Sequence, residues 1–185
     1  KFIKEIALLR KEYNSKANNP EAYEKRRTAI LYNPENTWEL QRNKQTTDWN
    51  TEGHIVKYYN ALNNFGAPVD FIDERVDFSN YNVMIAPAYQ MLDRDLVQRW
   101  QEYVEQGGNL ILTCRTGHKT RNGQLFETPF AEPIYSLIGA KIDFYDLLQP
   151  RTPDQIVFNN NRYNWTSWGE ILIPDPNTDT WATYE

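Results

Sequence analysis

Apolar residues recur along this chain in two alternating rhythms, a helical one and a short continuous one. Phe2, Ile6, Leu9 and Tyr13 stand at spacings of four, three and four, which is one apolar face of an opening helix with Lys and Glu on the other. That helix is expected to end near Asn18-Asn19-Pro20, because proline has no amide with which to continue it. Its apolar face packs either on this same domain or on something outside it. Thr28 to Asn33 is an apolar run closed by Pro34 and reads as a buried strand, followed by an expected polar loop through Trp38 and Trp49. Ile55, Tyr58, Tyr59, Leu62 and Phe65 restore helical spacing up to Gly66, a good cap. Strands are then expected at 69–73 and at 81–86, the second stopped by Pro87. A helix follows on Leu96, Val97, Trp100, Tyr103 and Val104 and ends at Gly107-Gly108. After it come a strand at 109–113, a loop with Gly117 and Gly123, a short helix at 134–138, and a strand at 141–147.

Strand and helix thus alternate, and the strands are short and apolar throughout rather than on one face. Such strands belong in a mainly parallel sheet with both faces covered. The fold class is α/β, a doubly wound, flavodoxin-like three-layer sandwich. From Pro150 the character changes: this last stretch holds three of the six Trp (Trp165, Trp168, Trp181) and four of the ten Pro, with no helical period. Residues 156–158 and 170–173 are strand candidates. The chain therefore divides into a helix at 1–27, an α/β domain at 28–150, and the start of a β-rich segment at 151–185.

Composition narrows the function. A hydrophobic fraction of 40% and an aromatic fraction of 14% fit a folded soluble protein. The longest apolar runs, such as Leu110-Ile111-Leu112, are far too short to cross a bilayer, so no membrane partner is expected. No leader pattern opens the chain, which starts at Lys1 inside a helical pattern, and the natural protein is expected to be longer. A soluble location is expected, cytoplasmic or periplasmic without a choice between them. Net charge is −5; residues 1–28 carry eight Lys/Arg against four Glu, and the remainder stands at −9. The basic residues alternate with Glu5, Glu12, Glu21 and Glu24, and no basic stripe with interleaved aromatics follows, which argues against nucleic acid. A single cysteine excludes an internal disulfide and a cysteine zinc site.

In doubly wound folds chemistry sits in loops at the carboxyl ends of the strands, here after Asn33, Asp73, Ala86 and Thr113. None carries the glycine pattern of a dinucleotide site or a phosphate loop, and no cofactor is expected. Cys114 is the candidate nucleophile, with His118 four residues on and Arg115 adjacent to lower its pKa. A nucleophile elbow needs small neighbours, however, and the flanks are Leu112, Thr113, Arg115 and Thr116; a small side chain ending a strand is the plainer account. A carboxylate pair cannot be singled out among 25 acidic residues, and a (β/α)8 barrel takes ~250 residues, more than the chain contains. No catalytic residue is therefore assigned. His54 and His118 lack a helical partner for a metal, and no metal site is expected. Trp38 follows the first strand beside Glu35 and Asn36, a set that suits stacking on a sugar ring with polar groups at its rim, or anchoring an interface. Asn164-Trp165-Thr166 fits a glycosylation sequon, a triplet that arises often by chance.

Several stretches, in order, resemble the middle domain of glycoside hydrolase family 42 β-galactosidases. They are Ala29 to Trp38; Tyr58 to Leu62 with Gly66 to Phe71; Asp77 to Tyr81 with Val83 to Pro87; Val104 to Gly108; Leu110 to Thr113; and Arg115 to Gly117. The resemblance implies a glutamine amidotransferase-like trimerisation domain that itself catalyses nothing. It implies a parent enzyme that hydrolyses terminal β-D-galactosides through a barrel absent from these residues. Residues 1–27 would then be the tail of that barrel or its linking helix, and Trp168-Gly169-Glu170 would lie near the passage to a small β domain. A homotrimer and a galactoside are the implied partners. Two other readings stay open: an amidotransferase-like enzyme using Cys114, and a carbohydrate-binding module using Trp165, Trp168 and Trp181.

Overall fold

The computed structural model describes residues 2–15, 27–66, 68–149 and 154–185. The four apolar runs form parallel strands: β1 (Thr28–Leu31), β2 (Val69–Ile72), β3 (Val83–Ala86) and, after a two-residue strand β4 (Met91–Leu92), β5 (Asn109–Leu112). They make one sheet in the order β2-β1-β3-β5, with Ala29 level with Asp70 and Met84, and Ile85 level with Ile111. Successive strand residues point to opposite faces. Ala29, Leu31, Met84 and Ala86 face one way into the main core, while Ile30 and Ile85 face the other and are equally buried. Both faces of the central strands are covered, as an all-apolar parallel strand requires.

The covering helices follow from the sequence periods. The α-helices after the opening one are α2 (Pro34–Arg42), α3 (Thr51–Asn64), α4 (Arg94–Glu105) and α5 (Tyr135–Ile138). Gly66 sits just past α3 at φ +68°, the left-handed conformation that ends helices at little cost only for glycine. Asp93 caps α4 by accepting from the Leu96 amide at 2.8 Å, and α4 buries Leu96, Trp100 and Tyr103. Trp100 meets Tyr89 edge-on at 5.6 Å; burying a side chain of this size contributes roughly 3 kcal/mol.

The opening helix, α1 (Phe2–Ser15), is different. Phe2, Ile3, Ile6, Leu8 and Leu9 are all exposed, so no described residue covers its apolar side. Of the two destinations for that face, packing on this domain is not what the structure has. The expected stop at Asn18 to Pro20 and the change of character at Pro150 lie outside the described residues.

Strand β6 (Lys119–Thr120), before α5, pairs parallel with β4. Past α5 the chain turns to β-structure, and β7 (Ala140–Leu147) pairs antiparallel with β10 (Trp168–Pro174). Strands β8 (Asp154–Phe158), β9 (Asn161–Trp165) and β11 (Ala182–Tyr184) form a separate sheet in the order β11-β8-β9. The β8–β9 hairpin turns on Asn159 and Asn160, both at positive φ, the pattern of a two-residue turn matched to strand twist. Residues 156–158 and 170–173 are strands as expected; β9 and β11 were not anticipated. The β7–β10 pairing ties the last stretch of chain back to the residues before Pro150.

Candidate functional site

The end of β1 is where Trp38 was expected on a loop. It lies on a helix instead. Asn33 is extended and its Oδ1 accepts from the Glu35 and Asn36 amides at 2.8 and 3.2 Å, while Pro34 occupies the first helical turn, where a missing amide costs nothing. The helical turn separates the three candidate residues. Glu35 and Trp38 remain exposed, Trp38 at 66%. Asn36 turns inward, which corrects the expectation of a single sugar-facing set. Its Nδ2 donates to the Ala88 carbonyl at 3.0 Å, and its Oδ1 accepts from the Gln90 and Met91 amides at 2.8 and 3.1 Å. Its amide thereby holds the 88–91 turn, and its binding capacity is used inside the fold.

Glu35 and Trp38 border a shallow cleft of about 450 Å³ with Asn33, Asp73, Glu74 and Arg75. The cleft floor is an ionic cluster. Glu74 accepts from Asn33 Nδ2 at 3.0 Å, from the Tyr89 hydroxyl and from the Arg121 guanidinium, which also reaches Asp93 at 2.6 Å. Burial, with Glu74 beside it, pushes the Tyr89 hydroxyl pKa up, and the carboxylates outweigh burial to raise that of Arg121. Glu74 is thus engaged within the fold and Arg75 pairs with Asp73, which leaves Glu35 and Trp38 exposed at the edge of the cleft.

Cys114 follows β5 as expected, but its surroundings silence it. Burial first, and the charge of Glu170 second, push its pKa up to about 12, against the lowering effect of Arg115. A thiol in that range holds almost no nucleophilic thiolate at neutral pH. Neither histidine serves as its base. His118 Nε2 meets Glu170 Oε1 at 3.1 Å, and its ring lies 4.0 Å from that of Phe130. His54 Nε2 bonds Thr113 Oγ1 at 3.0 Å, and burial lowers its pKa to about 4. The Thr113 hydroxyl also accepts from the Ala88 amide at 2.7 Å.

What sequence reasoning missed is the burial of Arg115. Despite its charge it is fully buried, at φ +66°, a conformation that costs a residue with a Cβ roughly 1 kcal/mol. Its guanidinium lies between the Trp49 and Trp168 rings, 4.5 and 4.7 Å from their centroids. Nη1 and Nη2 donate to the carbonyls of Lys44 and Asn43 at 3.0 and 2.9 Å. Burial lowers its pKa to about 10, which leaves it charged at neutral pH. Its own amide donates to Glu170 Oε1 at 2.7 Å, the oxygen that also meets His118 and accepts from Trp168 Nε1 at 3.1 Å. Tyr145 stacks on Trp168 at 4.4 Å. Trp168-Gly169-Glu170 thus belongs to a buried node that joins β10 to the loop after β5 and to the end of α2. The bonds within it hold Glu170, His118, Trp168 and both terminal nitrogens of Arg115 inside the fold.

Among the described residues no cluster of His, Cys, Asp and Glu is placed to hold a metal, and no helix is long and apolar enough to cross a membrane.

Comparison with known proteins agrees with this picture of an α/β domain built on a parallel sheet. A β-galactosidase, BgaH, of Haloferax lucentense is 26% identical over 147 residues, covering 80% of this chain and 22% of that protein. The structure of a polyextremophilic β-galactosidase from the Antarctic haloarchaeon Halorubrum lacusprofundi superposes with a TM-score of 0.80 at 25% identity, over 85% of this chain and 23% of that one. A ThuA-like protein of Bacteroides uniformis shares the fold at a TM-score of 0.51 and 13% identity, over 86% of this chain and 67% of its own. This chain spans about a fifth of the length of the curated relatives it matches. The family model described as the β-galactosidase trimerisation domain matches residues 26–185. With most of its length inside that match, the chain belongs to the trimerisation-domain family of glycoside hydrolase family 42 β-galactosidases.

Proposed function

We propose that this chain is the assembly domain of a longer β-galactosidase, which hydrolyses terminal β-D-galactosides through a catalytic domain outside residues 1–185 and works as a homotrimer. The observation that carries this reading is how the carboxyl ends of the strands are used. Asn36, His54, Thr113, His118 and Glu170 are each engaged in bonds within the fold, and the Cys114 thiol is held protonated. A fold position that elsewhere carries chemistry here carries structure. Family membership and the relatives' greater length support the same reading. The test is hydrolysis of nitrophenyl β-D-galactoside by the 185-residue chain and by the full-length enzyme. Turnover by the longer protein alone agrees with the proposal; turnover by the shorter one contradicts it.

The rim of the Trp38 cleft is the part of this domain best suited to meet substrate. An exposed indole offers a flat face for the C–H face of a pyranose, and Glu35 offers an acceptor for hydroxyls, so in the trimer this cleft borders a neighbouring subunit's galactoside.

A further inference from the structure

Helix α2 carries Trp38 on its outer side and is tied down along its inner side. At its start Asn33 Nδ2 donates to Glu74 at 3.0 Å, and one turn on Asn36 bonds the 88–91 turn. Glu39 then pairs with Lys119, and Leu40 is fully buried. Just beyond the last turn the carbonyls of Asn43 and Lys44 accept from Arg115. Residues three and four apart share one side of a helix, so these ties form a single inner stripe. Glu35, Trp38 and Arg42, at the same spacing, form the exposed outer one.

The tie at the far end is one that stability alone does not call for. Asn43 and Lys44 are exposed residues, and water ordinarily serves the last carbonyls of a helix. Here they are served by an arginine that is wholly buried in a left-handed backbone conformation. Taking a charge out of water is costly, and apolar side chains of similar volume often stabilise a core as well or better. Apolar packing, however, supplies no direction. The Trp49 and Trp168 rings fix the place of the guanidinium, and its fork of donors fixes where the two carbonyls lie. The Arg115 amide is itself anchored on Glu170 at 2.7 Å. The end of α2 is thereby registered on the buried node.

The consequence falls on Trp38. A side chain reaches about 6 Å from its helix axis, so a roll of ~10° moves it by about 1 Å. Pinned only at its first turn, α2 could make such a roll; pinned also at Glu39 and at its end, it is held. Binding contacts depend on placement at that scale.

We infer that Arg115 is a positioning residue for Trp38: by holding the end of α2, with Lys119 as a second hold, it sets how the Trp38 cleft meets a galactoside. The inference rests on the reading of that cleft as the part of this domain that borders substrate.

The experiment uses the full-length enzyme with Arg115→Lys, with Trp38→Ala, and with both. KM and kcat for nitrophenyl β-D-galactoside, trimer mass and hydrogen exchange at residues 36–44 are measured on each. Arg115→Lys is expected to keep the trimer and kcat, to raise KM roughly threefold or more, and to speed exchange in α2 about 10-fold. Combined with Trp38→Ala it should raise KM no further than Trp38→Ala alone, because both changes act through one side chain. A rise in KM of the same size with and without Trp38 overturns the inference, and so does unchanged exchange in α2. Faster exchange in α2, with KM moved by neither change, refutes the sugar reading of the cleft and leaves Arg115 as the hold on α2. Should Arg115→Lys fail to assemble, Lys119→Met, which frees Glu39 without entering the node, is read by the same measurements and the same outcomes.

Discussion

The amide of Arg115 donates to Glu170 Oε1 across 55 residues of sequence, and the same oxygen meets His118 and Trp168. One acceptor thus satisfies three buried donors and fixes β10 to the loop after β5. Replacing it strands all three, and a buried donor without a partner costs about 1–3 kcal/mol. Glu170→Ala is expected to destabilise the fold by on the order of 4 kcal/mol in urea denaturation and Glu170→Gln by about half that. Equal, small losses for both variants would contradict the role given to this oxygen.

Arg115 predicts a distinct outcome. Lysine keeps the charge and loses both the planar stacking between Trp49 and Trp168 and the fork to Asn43 and Lys44. Arg115→Lys should therefore lower stability by about 2 kcal/mol, measured by denaturant midpoint at constant m-value. A neutral result would mean that charge alone matters there.

Stability should fall with acid between pH 6.5 and 4. Burial holds folded His54 near a pKa of about 4 against an ordinary 6.5, and lowers that of His118 in the same direction. In that window the unfolded chain binds more protons than the folded one, so unfolding becomes easier as pH drops. The His54 share is on the order of 3 kcal/mol once pH is below 4. Urea midpoints measured from pH 7 to 4.5 should decline, and His54→Gln should flatten part of the decline. A profile level over that range would contradict the account.

Cys114 should be a slow thiol. With its pKa pushed up to about 12, it has roughly 1000-fold less thiolate at pH 7 than an ordinary cysteine. Iodoacetamide should modify the folded chain at least 100-fold more slowly than the urea-unfolded one, and Cys114→Ala should leave galactoside turnover of the full enzyme unchanged. Rapid alkylation at neutral pH would reopen a nucleophilic role.

Trp38 is exposed on α2, so Trp38→Ala should cost under about 0.5 kcal/mol of stability. If its cleft meets substrate in the trimer, KM for a galactoside rises several-fold while the trimer persists. Unchanged KM and kcat would remove Trp38 from the sugar site.

What the sequence made legible follows from how local each signal is. The apolar runs that became β1, β2, β3 and β5 stand out because a parallel strand buried on both faces needs no partner sequence to be recognised. The helices on Ile55 to Phe65 and Leu96 to Val104 were equally plain by period. Helix α2 was hidden because its stretch, Pro34 to Arg42, is mostly polar; its signal was the start, with Asn33 as cap and Pro34 in the first turn. That mistake also placed Asn36 on the surface. Arg115 was illegible for a different reason. A charged residue reads as solvent-facing, and only the meeting of Trp49, Trp168 and Glu170 from three distant segments makes its burial tolerable. The β7–β10 pairing depends on long-range contact in the same way.

The most direct test of the central claim is the mass of the full-length enzyme by light scattering, with and without residues 26–185. Three protomer masses for the intact enzyme and one after the deletion is the predicted result. A trimer that persists without these residues would show that assembly resides elsewhere.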